Sequence, residues 1–124
     1  PAPRFGRFSC ILLVLVGLGC GQPKLIDPAE STDGTVILLE PNGEKVSHRE
    51  VSFKEAIESA EGKTVVVDFW ASWCGPCRMQ APELEILARE HADKVVVLKV
   101  DVDSEQVLAT HFQVSAIPDN TTTI

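Results

Sequence analysis

Residues 65–77 read VVVDFWASWCGPC, and this stretch decides both the fold and the chemistry that we expect. Its first half is rich in β-branched and aromatic residues, which is typical of a buried strand, whereas the residues from Arg78 onward have helical spacing and helix-forming side chains. Cys74 and Cys77 therefore lie where a strand gives way to the N-terminus of a helix. Two thiols at this spacing in that position indicate redox chemistry.

The helix N-terminus favours a thiolate on Cys74. Unpaired backbone N–H groups and the positive end of the helix dipole stabilise the charged sulfur, so we expect a lowered pKa for Cys74 and assign it as the nucleophile. Cys77 lies about one helical turn further on, close enough to attack a mixed disulfide on Cys74 and release the partner. Pro76 suits the first helical turn, and Gly75 leaves room for another chain to approach the sulfur.

The motif and the segments around it resemble the thioredoxin family, in which a Cys-x-x-Cys pair lies in a βαβ setting. The resemblance covers residues 51–118 and includes DFW at 68–70, RMQAP at 78–82, VLKVD at 97–101 and VSAIP at 114–118. It implies a thioredoxin-like α/β fold, a three-layer α/β/α sandwich with a central mixed sheet. It also implies a thiol–disulfide oxidoreductase that exchanges disulfides with protein partners and requires no bound cofactor.

Asp68 is a candidate for proton transfer. An acid inside an apolar run is expected to be buried with a raised pKa, and it could then act as a base. By resemblance, Asp68 matches the buried aspartate that helps to deprotonate the second cysteine, here Cys77, and Lys99 matches the lysine beneath it, which would tune Asp68. The alternative is that Asp68 and Lys99 form a structural pair only.

The resemblance also assigns a substrate-binding surface. The family counterpart of Pro118 follows an apolar residue through a cis peptide bond and lies against the active-site sulfurs, where it blocks metal capture and offers backbone groups to a substrate strand. The expected surface comprises Trp73, Gly75, Pro76, Ile117 and Pro118. We expect Trp70 to pack in the core, while Met79 either faces partners or fills a gap in the core.

Two other classes of function remain open. One is a thioredoxin-fold binding module without turnover. The other is a metal-binding domain that uses Cys74 and Cys77, although one Cys-x-x-Cys supplies only two of the four ligands of a structural zinc site, and we assign no metal ligands. Nucleic acid is excluded as a partner, because all 18 acidic side chains but only 8 of the 11 basic ones lie after residue 24.

Residues 1–20 have the pattern of a secretory leader. Arg4 and Arg7 precede a short apolar run, and small residues surround Cys20. The run is shorter than the roughly 20 apolar residues that span a bilayer. LGCG at 18–21 resembles a bacterial lipobox, which predicts lipidation of Cys20 after cleavage; the alternatives are an ordinary signal cleaved nearby and an uncleaved anchor. We expect an exported, membrane-anchored lipoprotein facing the periplasm or cell exterior, reduced by a membrane electron donor.

The remaining chain divides into a flexible linker, residues 21–34, and a thioredoxin-like domain, residues 35–124. Residues 35–39 predict an added strand or hairpin, with a turn at 41–44, and Ser52 with Glu55 predicts a capped helix. After Pro118 the resemblance ends, because residues 119–124 read DNTTTI where the family has an apolar strand, a hairpin partner and a closing helix. We therefore expect a domain without its last strand and helix, as a fragment, through truncation or frameshift, or by nature.

Overall fold

The computed structural model describes residues 34–123. Predictions for the leader, including lipidation of Cys20, and for the linker up to residue 33 lie outside the described residues. The described elements are β1 Thr35–Asn42, β2 Lys45–Ser52, α1 Phe53–Ser59, β3 Thr64–Trp70, α2 Gly75–Glu90, β4 Val95–Asp101, α3 Gln106–His111 and β5 Asp119–Thr123. From β1 to α3 they follow the order that the sequence predicts, and a further strand, β5, comes after them.

The five strands form one mixed sheet in the order β2-β1-β4-β3-β5. Strands β3 and β4 are parallel, and the other neighbouring pairs are antiparallel. The predicted hairpin is β1–β2, with Gly43 at a positive φ of 64° in its turn, a conformation that glycine adopts without steric cost. The added strand β1 lies inside the sheet, between β2 and β4.

The alternation of β3 separates two cores. Val65, Val67 and Phe69 pack on one face with α1 and α3, and the opposite face, which includes Val66, packs against Leu84 and Ala88 of α2. Because side chains alternate along a strand, Asp68 lies on the same face as Val66, and α2, which carries Cys77, packs on that face. The predicted three-layer α/β/α sandwich is confirmed.

Helix α1 begins as the sequence predicts. Ser52 is its N-cap, and the Ser52 side chain accepts a hydrogen bond from the Glu55 N–H at 3.1 Å. This contact satisfies one of the N–H groups that a helix N-terminus leaves unpaired. Among residues 34–123, none of the helices combines the length and the apolar character that crossing a bilayer requires.

The expectation that the strand pattern stops at Pro118 is wrong for residues 119–123. This polar segment forms β5, which pairs with β3 from Phe69↔Asp119 to Val65↔Thr123. Backbone hydrogen bonds hold such a strand without an apolar side-chain pattern, and threonine suits extended backbone. Apolar periodicity was therefore the wrong criterion for this segment.

Candidate active site

The two cysteines of the motif are joined by a disulfide at the start of α2. Cys74 is the N-cap residue of the helix, and Cys77 lies in its first turn. Both are buried, with 4% and 2% of their surface exposed. The Cys77 N–H donates a hydrogen bond to the Cys74 Sγ at 3.2 Å. A helix N–H therefore points at the sulfur that the sequence predicts to carry negative charge in the reduced form.

The turn between β3 and α2 fixes the cysteines relative to the sheet. Strand β3 ends at Trp70, and the Cys74 N–H then bonds to the Ala71 carbonyl at 3.1 Å. Ala71 is fully buried and packs with both cysteines. Pro76 follows in the first turn of α2, where its missing N–H leaves no helical hydrogen bond unmade.

The Ile117-Pro118 segment reaches this site from a distant part of the chain. Its peptide bond is cis, as the resemblance implies. Ile117 packs against the cluster of Ala71, Cys74 and Cys77. Pro118 is exposed and immediately precedes Asp119, which pairs with Phe69 near the end of β3. The fold therefore brings Ile117 to the cysteines and keeps Pro118 open to solvent beside them.

Asp68 and Lys99 lie side by side on β3 and β4. Their backbones are in register, and the Lys99 Nζ is 3.6 Å from the Asp68 Oδ2. Both residues are buried, and within residues 34–123 neither carboxylate oxygen of Asp68 accepts a hydrogen bond. Burial raises the pKa of Asp68, and the charge of Lys99 offsets part of this shift. The burial and the raised pKa predicted from the sequence are confirmed, while proton transfer stays a prediction.

Lys99 also contacts the aromatic part of the site. Its Nζ lies 4.8 Å from the centroid of the Trp70 ring, a cation–π geometry. Trp70 is partly buried and packs against the cysteine cluster. Trp70 thus connects the Asp68–Lys99 pair to the cysteine cluster.

The outer surface of the site is open and partly apolar. Trp73 is 66% exposed and Met79 is 82% exposed, so the core position considered for Met79 is wrong. A Cβ built on Gly75 meets no heavy atom within 4 Å. The space above the motif is therefore free for another chain to approach.

One contact of the site, between Trp73 and Asp103, is not evident from the sequence pattern. The Trp73 Nε1 donates a hydrogen bond to the Asp103 Oδ2 at 2.9 Å. Asp103 follows β4, whose end pairs with the end of β3 at Trp70↔Asp101. Since parallel strands end at the same side of a sheet, the position of Asp103 after β4 was the available signal.

A metal site that uses Cys74 and Cys77 would need further ligands from nearby side chains. Within the described residues 34–123, no group of three or more His, Cys, Asp or Glu side chains is arranged to hold a metal ion. The site as described is a disulfide at a helix N-terminus, with Trp70 and Ile117 packed against it. The Asp68–Lys99 pair contacts Trp70, and a cis-proline follows Ile117. These features define a candidate redox site on a thioredoxin-like fold.

Comparison with known proteins assigns the family. A family model described as Thioredoxin matches residues 44–122, more than half of the chain. The thioredoxin of Alicyclobacillus acidocaldarius is 49% identical over 69 residues, 56% of this chain and 64% of the relative. A crystal structure of the germline-specific thioredoxin Deadhead of Drosophila melanogaster is 38% identical, with a TM-score of 0.56, over 57% of this chain and 68% of that one. The chain belongs to the thioredoxin family.

A longer relative matches a larger share of this chain than the relatives above do. The bifunctional thioredoxin reductase/thioredoxin of Mycobacterium leprae is 39% identical over 95 residues, 75% of this chain but 20% of the relative. The chain spans less than two thirds of the length of these curated relatives. Strand β1 precedes the segment that the family model matches.

Proposed function

We propose that this chain is a thiol–disulfide oxidoreductase that acts on protein disulfides through Cys74 and Cys77. The observation that carries the proposal is the Cys77 N–H directed at the Cys74 Sγ. At a helix N-terminus this contact stabilises a thiolate, the form of cysteine that attacks disulfides. The membership of the chain in the thioredoxin family supports the same activity.

The proposed reaction starts from the reduced dithiol. The Cys74 thiolate attacks one sulfur of a partner disulfide, which forms a mixed disulfide and releases the other partner sulfur as a thiolate. Cys77 then loses its proton and attacks the Cys74 Sγ, which releases the second partner sulfur and closes the Cys74–Cys77 disulfide. Two electrons and two protons pass from the dithiol to the partner.

Asp68 is the proposed acceptor of the Cys77 proton. Its burial raises its pKa, and a general base works best when its pKa approaches the operating pH. Lys99, with its Nζ 3.6 Å from the Asp68 Oδ2, opposes that rise and limits it. Asp68 can therefore take up the Cys77 proton, which then passes to the departing partner thiolate or to solvent, and the ionised Asp68 stays paired with Lys99.

The substrate would lie over the open side of the disulfide. We assign its contacts to Trp73, Gly75, Pro76, Ile117 and Pro118. The exposed indole of Trp73 is held by Asp103, so a partner meets an oriented aromatic surface beside the cysteines. The free space above Gly75 admits the backbone of a partner strand.

Turnover of a protein disulfide tests the proposed activity. With dithiothreitol as the electron source, the folded chain is expected to accelerate the reduction of a soluble protein disulfide, and Cys74→Ser is expected to abolish the acceleration. A folded chain that binds disulfide proteins without accelerating their reduction would indicate a binding module. Stoichiometric zinc binding without turnover would indicate a metal-binding domain.

Gly75→Ala tests the access of a partner to the Cys74 sulfur without a change in the stability of the fold. The added methyl group enters open space within the chain, so we expect the free energy of unfolding to change by less than about 0.5 kcal/mol. The same methyl group meets an approaching partner, and kcat/KM for a protein disulfide is expected to fall by about tenfold, or about 1.4 kcal/mol. The rate with a small aromatic disulfide serves as the control and is expected to stay unchanged. An unchanged rate with the protein disulfide would contradict the assignment of Gly75.

We further propose that the chain is exported and anchored to a membrane by lipid on Cys20. The leader pattern of residues 1–20 supports this location, in which a reductant protein must return electrons to Cys74 and Cys77. The Mycobacterium leprae relative, which by its name combines a thioredoxin with a thioredoxin reductase, supports a reductase as one class of donor. Metabolic labelling with an alkynyl fatty acid tests the anchor, since the label is expected on the parent chain and not on Cys20→Ala.

A further inference from the structure

Strand β1 determines at which end of the sheet the chain enters the domain. We call the end where β3 and β4 finish, at Trp70 and Asp101, the redox end, and the end where β3 begins, at Thr64, the far end. Strand β2 runs parallel to β4, because both are antiparallel to β1, so β2 begins at the far end. Strand β1 precedes it in the opposite direction. The chain therefore enters the domain at the redox end.

The entry point is held by specific contacts. The Thr35 N–H donates to the Glu105 Oε1 at 3.0 Å, and the Gly34 carbonyl accepts from the Phe53 N–H at 2.8 Å. A Cβ on Gly34 would collide with the Leu108 side chain, so only glycine fits this close approach. Gly34 is thus fixed against the start of α3, and we call it the root of the linker.

The root is connected to the disulfide through a short series of contacts. Glu105, which binds the Thr35 N–H, donates its own N–H to the Asp101 carbonyl at 2.8 Å. The same loop carries Asp103, whose carboxylate holds the Trp73 indole next to Cys74. The loop that anchors the linker is therefore the loop that positions the partner-facing tryptophan.

The length of the linker sets how far the site can lie from an anchor. Fourteen residues, 21–34, separate Cys20 from β1. Gly34 is fixed, so residues 21–33 form the flexible tether that the sequence predicts, and a flexible chain of this length has a root-mean-square end-to-end distance of about 20 Å. If the anchor were attached at the far end, the length of the strands would add to the distance between the anchor and the site. Thr123 pairs with Val65, which lies four residues before Phe69 on β3. Four residues of strand correspond to about 13 Å.

We propose that the linker presents the redox end of the domain to the membrane that carries the anchor, so that the substrate is a disulfide protein displayed at that membrane surface. This inference rests on the proposed activity and on the proposed anchor. Because the root lies beside the Trp73 loop, the linker alone separates the site from the bilayer. A disulfide held near the headgroups is then met at a higher effective concentration than one in solution.

Moving the anchor from one end of the sheet to the other tests this inference. Two variants of residues 20–124 carry Cys20→Ser and a hexahistidine tag, either before residue 20 or after residue 124 through a 14-residue Gly-Ser spacer. Both are bound to phosphatidylcholine vesicles that contain a nickel-chelating lipid. One substrate is a fluorogenic peptide disulfide attached to a lipid headgroup, and the control substrate is the same peptide free in solution.

The N-terminally anchored variant is expected to reduce the vesicle-bound peptide about threefold faster or more than the C-terminally anchored variant, because effective concentration falls steeply with reach. Both are expected to reduce the free peptide equally. Energy transfer from the tryptophans to a dansyl lipid gives a readout without turnover and is expected to be larger for the N-terminal anchor. Equal vesicle rates and equal transfer would overturn the inference. Loss of reduction of the free peptide by both variants would overturn the proposed activity, and this inference with it.

Discussion

Cys77→Ser is expected to accumulate covalent complexes between Cys74 and partner proteins. Without the second thiol, the mixed disulfide on Cys74 has no internal nucleophile to resolve it, while the N-cap position still favours the attacking thiolate. Turnover is expected to fall on the order of a thousandfold or more, as for the loss of a group that acts in covalent catalysis. Non-reducing electrophoresis of the chain from its host measures the complexes directly.

The cysteine assignment has an internal control. Cys74→Ser, which leaves Cys77 in place, is expected to form no such complexes, because the N-cap position and the Cys77 N–H favour a thiolate on Cys74 and not on Cys77. The experiment is done in a background with Cys10→Ser and Cys20→Ser, so that the two cysteines outside the motif contribute no adducts. Complexes that persist in Cys74→Ser, or that are lost only in Cys77→Ser, would reverse the roles of the two cysteines.

Asp68→Asn is expected to stabilise the fold at neutral pH. The usual pKa of an aspartate is 3.8, and burial raises the pKa of Asp68 in the folded chain. As the pH rises, the unfolded chain therefore ionises first. The contribution of Asp68 to stability is fully present below pH 3.8 and is lost as the pH rises through the folded-state pKa. Asparagine does not ionise, so the Asp68→Asn variant does not lose this stability. The difference in free energy of unfolding between the variant and the parent chain therefore grows from near zero in acid to its full value above that pKa.

The magnitude follows from the environment of the carboxylate. Within residues 34–123, neither of its oxygens accepts a hydrogen bond, and its ion pair with Lys99 is 3.6 Å long. The contact of the Lys99 Nζ with the Trp70 ring does not involve the Asp68 carboxylate. We expect a gain of about 1 kcal/mol or more at neutral pH, because a buried carboxylate without hydrogen bonds is costly in its ionised form and asparagine stays neutral. Urea unfolding between about pH 3 and pH 8 measures the gain.

Asp93→Asn is the matched control for Asp68→Asn. Asp93 is exposed in the turn after α2, and its substitution is expected to leave the pH dependence unchanged. Lower stability of Asp68→Asn at neutral pH would contradict the effect of burial.

The same variant tests whether Asp68 acts as a base or only forms a structural pair with Lys99. If Asp68 is the base, resolution of the mixed disulfide in Asp68→Asn is expected to be slowed by about a hundredfold at neutral pH. A structural pair predicts an unchanged rate.

Local sequence predicted most elements and the position of the disulfide. The apolar run before Cys74, the Ser52 cap and the Asn42-Gly43 turn act within a few residues, so their structural effects are visible in a single sequence. Register is different, because it depends on which strands become neighbours. The pairing of Asp68 with Lys99 was accessible only through the family resemblance, and the contact between Trp73 and Asp103 was missed.

Sheet order was likewise beyond local sequence. An added strand at residues 35–39 was predicted, but its place between β2 and β4 depends on long-range pairing such as Leu38↔Leu98. Strand β5 was missed because its threonines lack an apolar pattern, although backbone pairing with β3 suffices to hold it. Both cases follow from one physical fact: strand pairing satisfies backbone groups, which every residue carries regardless of its side chain.

Electron transfer through Cys74 and Cys77 can be measured in a single turnover. The reduced chain, with Cys10→Ser and Cys20→Ser, is mixed with an equimolar soluble protein disulfide, and free thiols are alkylated and assigned by mass spectrometry over time. The proposed function predicts that Cys74 and Cys77 lose their thiols together, one intramolecular disulfide for each partner disulfide reduced, with a transient adduct on Cys74 alone. Partner disulfides that remain intact, or that are reduced while Cys74 and Cys77 stay as thiols, would contradict it.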